Sequence, residues 1–269
     1  MSLTLSIIIV NYNGKKFLND CFSSIQREID GSSFEVIMVD NQSVDDSVSY
    51  TKKYFPWVKI IEANSNLGFG KGNNFGVQHA KGEYLLLLNN DTILLNNPIE
   101  LIPEFRKNPN IGAIGIKMLN SVNKYTYSFG NFPNMENLFL MKRLQKMKEQ
   151  DLLTGNFSKN NYIVDWLGGS YILMKKELYQ QIGGFDEDYF LYVEDVDFGK
   201  RIKNAGKQSY FYPTQSYVHF VGFNTNKNML LVKGYELFLK KHSKGFKYFL
   251  LTTVLSLNAI VKNIKLRNN

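Results

Sequence analysis

The chain has 269 residues, 44% hydrophobic and 21% charged, with a formal net charge of +8 and a single cysteine. This length supports one large α/β domain, or one domain with a substantial appendage, and the apolar share allows a sizeable core. Cys21 alone excludes an internal disulfide and a cysteine-based zinc cluster, and it suits a reducing compartment, cytoplasmic by default.

In chain order, the apolar run Leu5 to Val10 is too short for a signal-peptide core and has no basic residues before it, so it reads as a buried first strand. A helix from about Lys16 to Glu28, a strand Phe34 to Val39 and a helix near Asp45 to Tyr54 follow. Next come a strand Val58 to Glu62, a helix from about Gly72 to Ala80 and a strand Tyr84 to Leu88. Strands alternating with helices of this length predict a mostly parallel central sheet with helices on both faces. Right-handed crossovers then bring Asn11, Asp40 and Asn64 to Asn66 to the sheet edge that carries Asn89 to Asp91. Lys117 to Tyr162 is polar, aromatic and irregular, the composition of a mobile lid or acceptor loop, and a further helix is expected from about Asp197 to Ala205.

Two stretches carry chemistry. From Glu83 to Thr92 a buried apolar strand runs directly into Asn89, Asn90 and Asp91, oxygen ligands placed where an α/β enzyme holds a hard divalent cation beside a phosphate-bearing ligand; an Asx turn after a strand is the plain structural reading. The run Glu194-Asp195-Val196-Asp197 puts three carboxylates at a helix start, where they could serve catalysis or only complement the helix dipole. Gly68, Gly70 and Gly72 miss the dinucleotide fingerprint by one position and come third in the chain, and no phosphate-binding GxxxxGK followed by Ser or Thr occurs. The segment Asn66 to Asn74 can still pass backbone close to a ligand and start a helix whose first N–H groups face phosphate, with Lys71 adding charge.

After Gly222 the chain carries Lys227, Lys233, Lys240, Lys241, Lys244, Lys247, Lys262, Lys265 and Arg267 against the single acid Glu236. From Phe246 to Val261 this tail is mostly apolar, yet it is interrupted by polar residues and shorter than the roughly 20 residues a spanning helix needs. It fits an interfacial helix on an anionic leaflet, or a helix packed on the catalytic domain or on a second subunit of an oligomer. No recognition-helix signature or basic stripe interleaved with aromatics in the first 200 residues points to nucleic acid.

Ser6 to Asn13, Val39 to Ser43, Asn64 to Asn74, Asn89-Asn90-Asp91, Gly168-Gly169-Ser170 and Glu194 to Asp197 together resemble family 2 glycosyltransferases of the GT-A fold, over roughly residues 3 to 222. The resemblance is nearest to the bacterial branch that includes rhamnosyltransferases of cell-surface polysaccharide synthesis. It implies that Val10, Asn11 and Tyr12 border the nucleotide base, that Asp40 bonds the base or ribose, and that Asn66, Gly68, Lys71, Asn89 and Asn90 belong to the nucleotide-sugar site. Trp166, Gly168 and Gly169 would lie beneath the sugar, although Trp166 reads equally as core. Asp91 would hold Mg2+ or Mn2+, with His219 as a further metal or diphosphate contact or else a bonded core histidine. The family's Asp-x-Asp is Asn89-Asn90-Asp91 here, which leaves one charged ligand and predicts weaker metal binding. Asp195 would be the general base toward the acceptor hydroxyl, Glu194 would hold or tune it, and Asp197 would cap the helix or bind Arg201.

The resulting expectation is a catalytic domain over 1–222, with a nucleotide-sugar half to about 115 and an acceptor half beyond it, and a basic helical tail over 223–269. Its activity would be inverting transfer from a UDP- or dTDP-sugar, dTDP-rhamnose among them, to a glycan or lipid-linked acceptor at the inner face of the plasma membrane. A sugar-phosphate nucleotidyltransferase and a non-catalytic nucleotide- or glycan-binding relic stand as alternatives.

Overall fold

The computed structural model describes residues 3–29, 31, 33–140, 143–144, 149–220 and 227–267, with the side chains of 227–229 and 260–267 left aside. Met1, Gly222 and the side chains of Lys227, Lys262, Lys265 and Arg267 therefore lie outside the described residues.

The first half runs β1 (Leu5–Asn11), α1 (Lys15–Glu28), β2 (Phe34–Asp40), α2 (Ser47–Tyr54), β3 (Lys59–Glu62), α3 (Gly68–Val77), β4 (Tyr84–Asn89), β5 (Thr92–Leu94), a 3-10 turn (Pro98–Leu101) and α4 (Ile102–Lys107). The second half runs β6 (Ile111–Leu119), β7 (Tyr125–Thr126), β8 (Phe129–Gly130), α5 (Met135–Phe139), α6 (Gln150–Thr154), β9 (Tyr162–Val164), β10 (Trp166–Leu167), β11 (Tyr171–Lys175), α7 (Lys176–Gln181), α8 (Glu194–Asn204), β12 (Gln208–His219), α9 (Lys227–His242) and α10 (Gly245–Arg267).

Among the described residues ten strands form a sheet whose main path is β3-β2-β1-β4-β11-β6-β12-β5, and β8 and β10 pair in a separate two-stranded sheet. The block β3-β2-β1-β4 is parallel, while β11 runs antiparallel between β4 and β6, so the sheet is mixed although mostly parallel. Both faces are buried, which explains the unbroken apolar runs. Along β1 and β4, Ile7, Ile9, Leu86 and Leu88 belong to the cluster that includes α1, whereas Ile8, Leu85 and Leu87 belong to the cluster on the opposite face, where α3 lies against β1.

Three expectations shift. The third helix begins at Gly68, four residues earlier than its periodicity suggests, because Gly68 takes φ +75° and its N–H is caught by Asn66 Oδ1 at 2.9 Å. The helix expected from Asp197 begins at Glu194, so both Glu194 and Asp195 lie in its first turn. The stretch 117–162 holds β7, β8, α5 and α6 rather than one irregular loop. A third apolar cluster unites Leu138, Leu144, Trp166 and Val196 with Tyr235, Phe238, Leu239, Leu251 and Leu255, so α9 and α10 are packed on the catalytic body.

Candidate active site

The chain leaves β1 toward β2 on one side and returns as β4 on the other, a topological switch that opens a crevice beyond the strand ends. The register sets Asn11 opposite Asp40 and Val10 opposite Asn89. Asn11, fully buried, donates from Nδ2 to Asp40 Oδ1 and to Ser43 Oγ, both at 3.1 Å, and accepts from Asn90 Nδ2 at 2.7 Å. The other Asp40 oxygen accepts the Ser43 N–H at 2.9 Å, so this carboxylate organises the loop after β2. Tyr12 is half exposed at the rim. Asn41 donates to the Gly68 carbonyl at 2.9 Å, while its Oδ1 is buried with no partner. The first two N–H groups of α3 go to Asn66 and to the Phe190 carbonyl, and Lys71 stands 3.6 Å from Glu187, so this helix start is tied to protein acceptors.

Beside the crevice, β12 pairs antiparallel with β5 so that His219 lies opposite Thr92, one residue past Asp91. His219 Nε2 is 3.1 Å from Asp91 Oδ1 and 3.3 Å from Asn89 Nδ2, and its Nδ1 is buried without a partner. A single ring nitrogen cannot donate to the carboxylate and accept from the amide together, so the tautomer decides which contact is made. Beneath them Cys21 points its sulfur at the Asn89 carbonyl, and burial pushes its thiol up to about 12, which leaves it inert.

An open cleft of about 400 Å³ extends from Asn89 and His219 to the start of α8, past Trp166, Gly168, Gly169 and Ser170. Trp166 donates its indole N–H to the Asn131 carbonyl at 3.0 Å and is nearly buried, so it is both core and wall. At the far end Tyr192 and Val193 adopt φ +68° and +70°, backbone that β-branched residues rarely accept. This turn presents Glu194 and Asp195. Burial, reinforced by the Asp195 charge, holds the Glu194 carboxyl well above the ordinary carboxylate range, and its Oε2 has no hydrogen-bond partner. One carboxyl is thus biased toward its neutral form beside another, Asp195, that is partly exposed and lines the cleft. Asp197 faces away from the cleft, with Arg201 Nε at 2.7 Å and His242 Nε2 at 2.6 Å.

A sequence model described as Glycosyl transferase family 2 matches residues 6–168. The chain belongs to this family. It is similar to N-acetylglucosaminyl-diphospho-decaprenol L-rhamnosyltransferase of Mycobacterium tuberculosis, 24% identical over 245 residues that cover 85% of this chain and 80% of that protein. It is also similar to rhamnosyltransferase WbbL of Escherichia coli K12, 23% identical over 80% of this chain and 82% of the relative. The glycosyltransferase is therefore a rhamnosyltransferase-like member. Among solved structures, GalNAc-T7 with UDP, GalNAc and Mn2+ superposes with a TM-score of 0.65 at 19% identity, covering 87% of this chain and 47% of that one. TarS residues 1–349 of S. aureus, in complex with UDP, gives 0.62 at 16% identity over 94% of this chain and 70% of that one. The chain spans about half the solved GalNAc-T7 chain, and these likenesses establish the GT-A fold.

Of the residues singled out in sequence, the cleft brings together Asn89, Trp166, Gly168, Gly169, His219, Glu194 and Asp195, while Val10, Asn11, Tyr12, Asp40, Asn66, Gly68, Lys71, Asn90 and Asp91 are not among its lining, Asp91 reaching it only through His219. Residues the sequence reading passed over also line the glycosyltransferase cleft: Phe69, Tyr192, and Leu231 and Tyr235 of α9. Ser170 bonds Tyr217 OH at 2.6 Å and so braces the floor. Ser170 was signalled by the preceding glycines; nothing in the basic tail marks Tyr235 as a wall of the site.

Proposed function

We propose that this glycosyltransferase transfers a sugar, with inversion, from a nucleoside-diphosphate donor to a glycan or lipid-linked glycan acceptor at the cytoplasmic face of a membrane. The observation that carries the reading is one cleft with the Asn89–His219 pair at one end and Asp195 at the other. The nucleotide is assigned to the crevice at the ends of β1, β2 and β4, where Val10, Tyr12 and the orphaned Asn41 oxygen stand ready, and the sugar to the floor of Gly168 and Gly169.

Asp195 takes the proton from the acceptor hydroxyl. The freed oxygen attacks the anomeric carbon, and the bond to the diphosphate breaks with its electron pair passing to the leaving oxygen. The carboxylates lining the cleft, Glu194 and Asp195, come from one helical turn, so neither faces the other across the sugar as a double displacement requires.

Among the described residues no group of three or more His, Cys, Asp or Glu side chains gathers to hold a metal. Asp91 and His219 nevertheless fit Mg2+ or Mn2+: two cis ligands at about 2.1 Å lie about 3 Å apart, the spacing of Asp91 Oδ1 from His219 Nε2. Such an ion, completed by substrate phosphate oxygens, would neutralise the charge gathering on the diphosphate. UDP and dTDP titrated calorimetrically with Mn2+, with Mg2+ and with EDTA should show metal-dependent binding of one nucleotide, lost in Asp91→Ala. Absence of binding under all conditions would overturn the assignment.

The relatives named as rhamnosyltransferases favour dTDP-rhamnose as donor, and the decaprenol-linked acceptor named for one of them favours a lipid-linked glycan here. Membership of the family sets aside the nucleotidyltransferase reading.

A further inference from the structure

The last helix is apolar on two opposite sides, and only one side is covered. Leu251, Leu255 and Asn258 of α10 are buried against α9 and α5, with Asn258 donating to the Phe139 carbonyl. At about 100° per residue, Phe246, Phe249, Thr253 and Leu257 fall on the reverse of that helix. Phe246 is 77% exposed, Phe249 65% and Leu257 48%. Against α10, α5 and the residue after it leave Met135, Phe139 and Leu140 about half exposed. Lys240, Lys244 and Lys247, all exposed, lie close in sequence to the phenylalanines, where α9 turns into α10.

Large apolar side chains left together at a surface mark a docking site. We infer that the α5–α10 face is the surface by which this enzyme lies on an anionic lipid bilayer, with Phe246 and Phe249 entering the headgroup–acyl boundary and Lys240, Lys244 and Lys247 on anionic headgroups. Aromatic and aliphatic side chains on one face with lysines at its edge are what an interfacial helix needs. No helix among the described residues is long and apolar enough to cross a membrane, so the contact lies in the plane of the surface. Charge decides against a second copy of the chain. A two-fold dimer through this face would bring two copies of the same lysine-bearing surface together on molecules of formal charge +8, whereas an anionic surface attracts the lysines.

The placement also serves the chemistry. Leu144 and Trp166 line the cleft and belong to the apolar cluster that contains Leu251 and Leu255, so the body between bilayer face and cleft is continuous. For this purpose the inference rests on a lipid-linked acceptor; the binding itself is measured without transfer.

The test is co-sedimentation of the full chain with vesicles of phosphatidylcholine alone and with added phosphatidylglycerol, for the wild type, Phe246→Ser/Phe249→Ser and Lys244→Glu/Lys247→Glu. The wild type should bind anionic vesicles at least about tenfold better than neutral ones, weakening with salt, and both double variants should lose at least about tenfold. Nucleotide titration of the same variants should be unchanged, which separates failure of this surface from failure of the donor site. Equal vesicle binding by the phenylalanine variant, or no binding by the wild type, would overturn the inference. So would a wild-type dimer in analytical ultracentrifugation that the phenylalanine variant abolishes, because the face would then belong to a second copy.

Discussion

At the carboxyl ends of β1, β2 and β4 the polar side chains hold one another, whereas at the start of α8 the chain is held from outside. Asn11, at the end of β1, bonds Asp40, Ser43 and Asn90, and the left-handed residues of the adjoining turns, Asn13 at φ +52° and Gln42 at φ +62°, are not β-branched. Tyr192 and Val193 sit in left-handed backbone that costs on the order of 1–3 kcal/mol each, ahead of a buried carboxyl with an unpartnered oxygen. What keeps them there is α9. Gly234 lies against Val193, Lys241 bonds Asp186 at 2.6 Å, and His242 bonds Asp197 at 2.6 Å. The contrast teaches that the crevice proposed for the nucleotide is self-supporting while the presentation of Asp195, the proposed base, depends on the carboxyl-terminal segment.

The largest effect should separate the two regions outright. Asp195→Asn keeps the shape of the α8 start but cannot accept a proton, so transfer should fall about 10²- to 10⁴-fold while nucleotide affinity, measured calorimetrically, stays within error. Retention of most of the rate would show that another group is the base.

A smaller effect should come from the support alone. A Cβ on Gly234 would stand 2.6 Å from Val193 Cγ2 and 2.9 Å from Val193 Cβ, so Gly234→Val must push α9 and the strained turn apart. Stability should drop by about 1–3 kcal/mol from overpacking. Displacing the base by about 1 Å should lower kcat on the order of 10²-fold, again with nucleotide binding intact. An unchanged kcat in the folded variant would mean that α9 supports the fold and not the base.

The difference between the regions also explains what could be read in advance. The strand runs and the polar residues after them were legible because a sheet buried on both faces writes unbroken apolar stretches, each ending where the chain meets the crevice. The reversal at β11 was not legible, since Tyr171 to Lys175 has the same apolar look in either direction. Glu194 and Asp195 were found through a motif, yet their helix seemed to start three residues later, because no glycine announces the left-handed turn at Tyr192 and Val193. The tail was read from its lysines. Its apolar residues face in two directions, so periodicity could not show that Tyr235 enters the cleft or that Leu251 and Leu255 are core.

The smallest effect is a matter of slope. Glu194 in the folded chain keeps its proton above the ordinary range because burial and the neighbouring Asp195 both oppose its charge, while an unfolded glutamate releases it near about 4.3. Between those two values the folded state carries one proton more than the unfolded state, so stability falls as pH rises. Glu194→Gln is neutral in both states and should gain stability relative to the wild type from about pH 4 upward, read as urea midpoints across pH. Asp197 is the mirror case three residues on. Burial opposes its charge, but the His242 hydrogen bond and the Arg201 guanidinium outweigh burial and hold its carboxyl below the ordinary range. Its contribution is therefore present above about pH 3.9 and lost as pH falls through the folded value, so Asp197→Asn should fall below the wild type as pH rises toward about 3.9 and stay below it by a constant amount over the higher range in which Glu194→Gln gains. Two midpoint curves that diverge from the wild type in opposite directions would locate the uncompensated charge of this helix on the cleft side and the compensated one on the α9 side. Parallel curves for Glu194→Gln and wild type would show Glu194 ionised in the fold, and the reason for giving the base role to Asp195 alone would go with it.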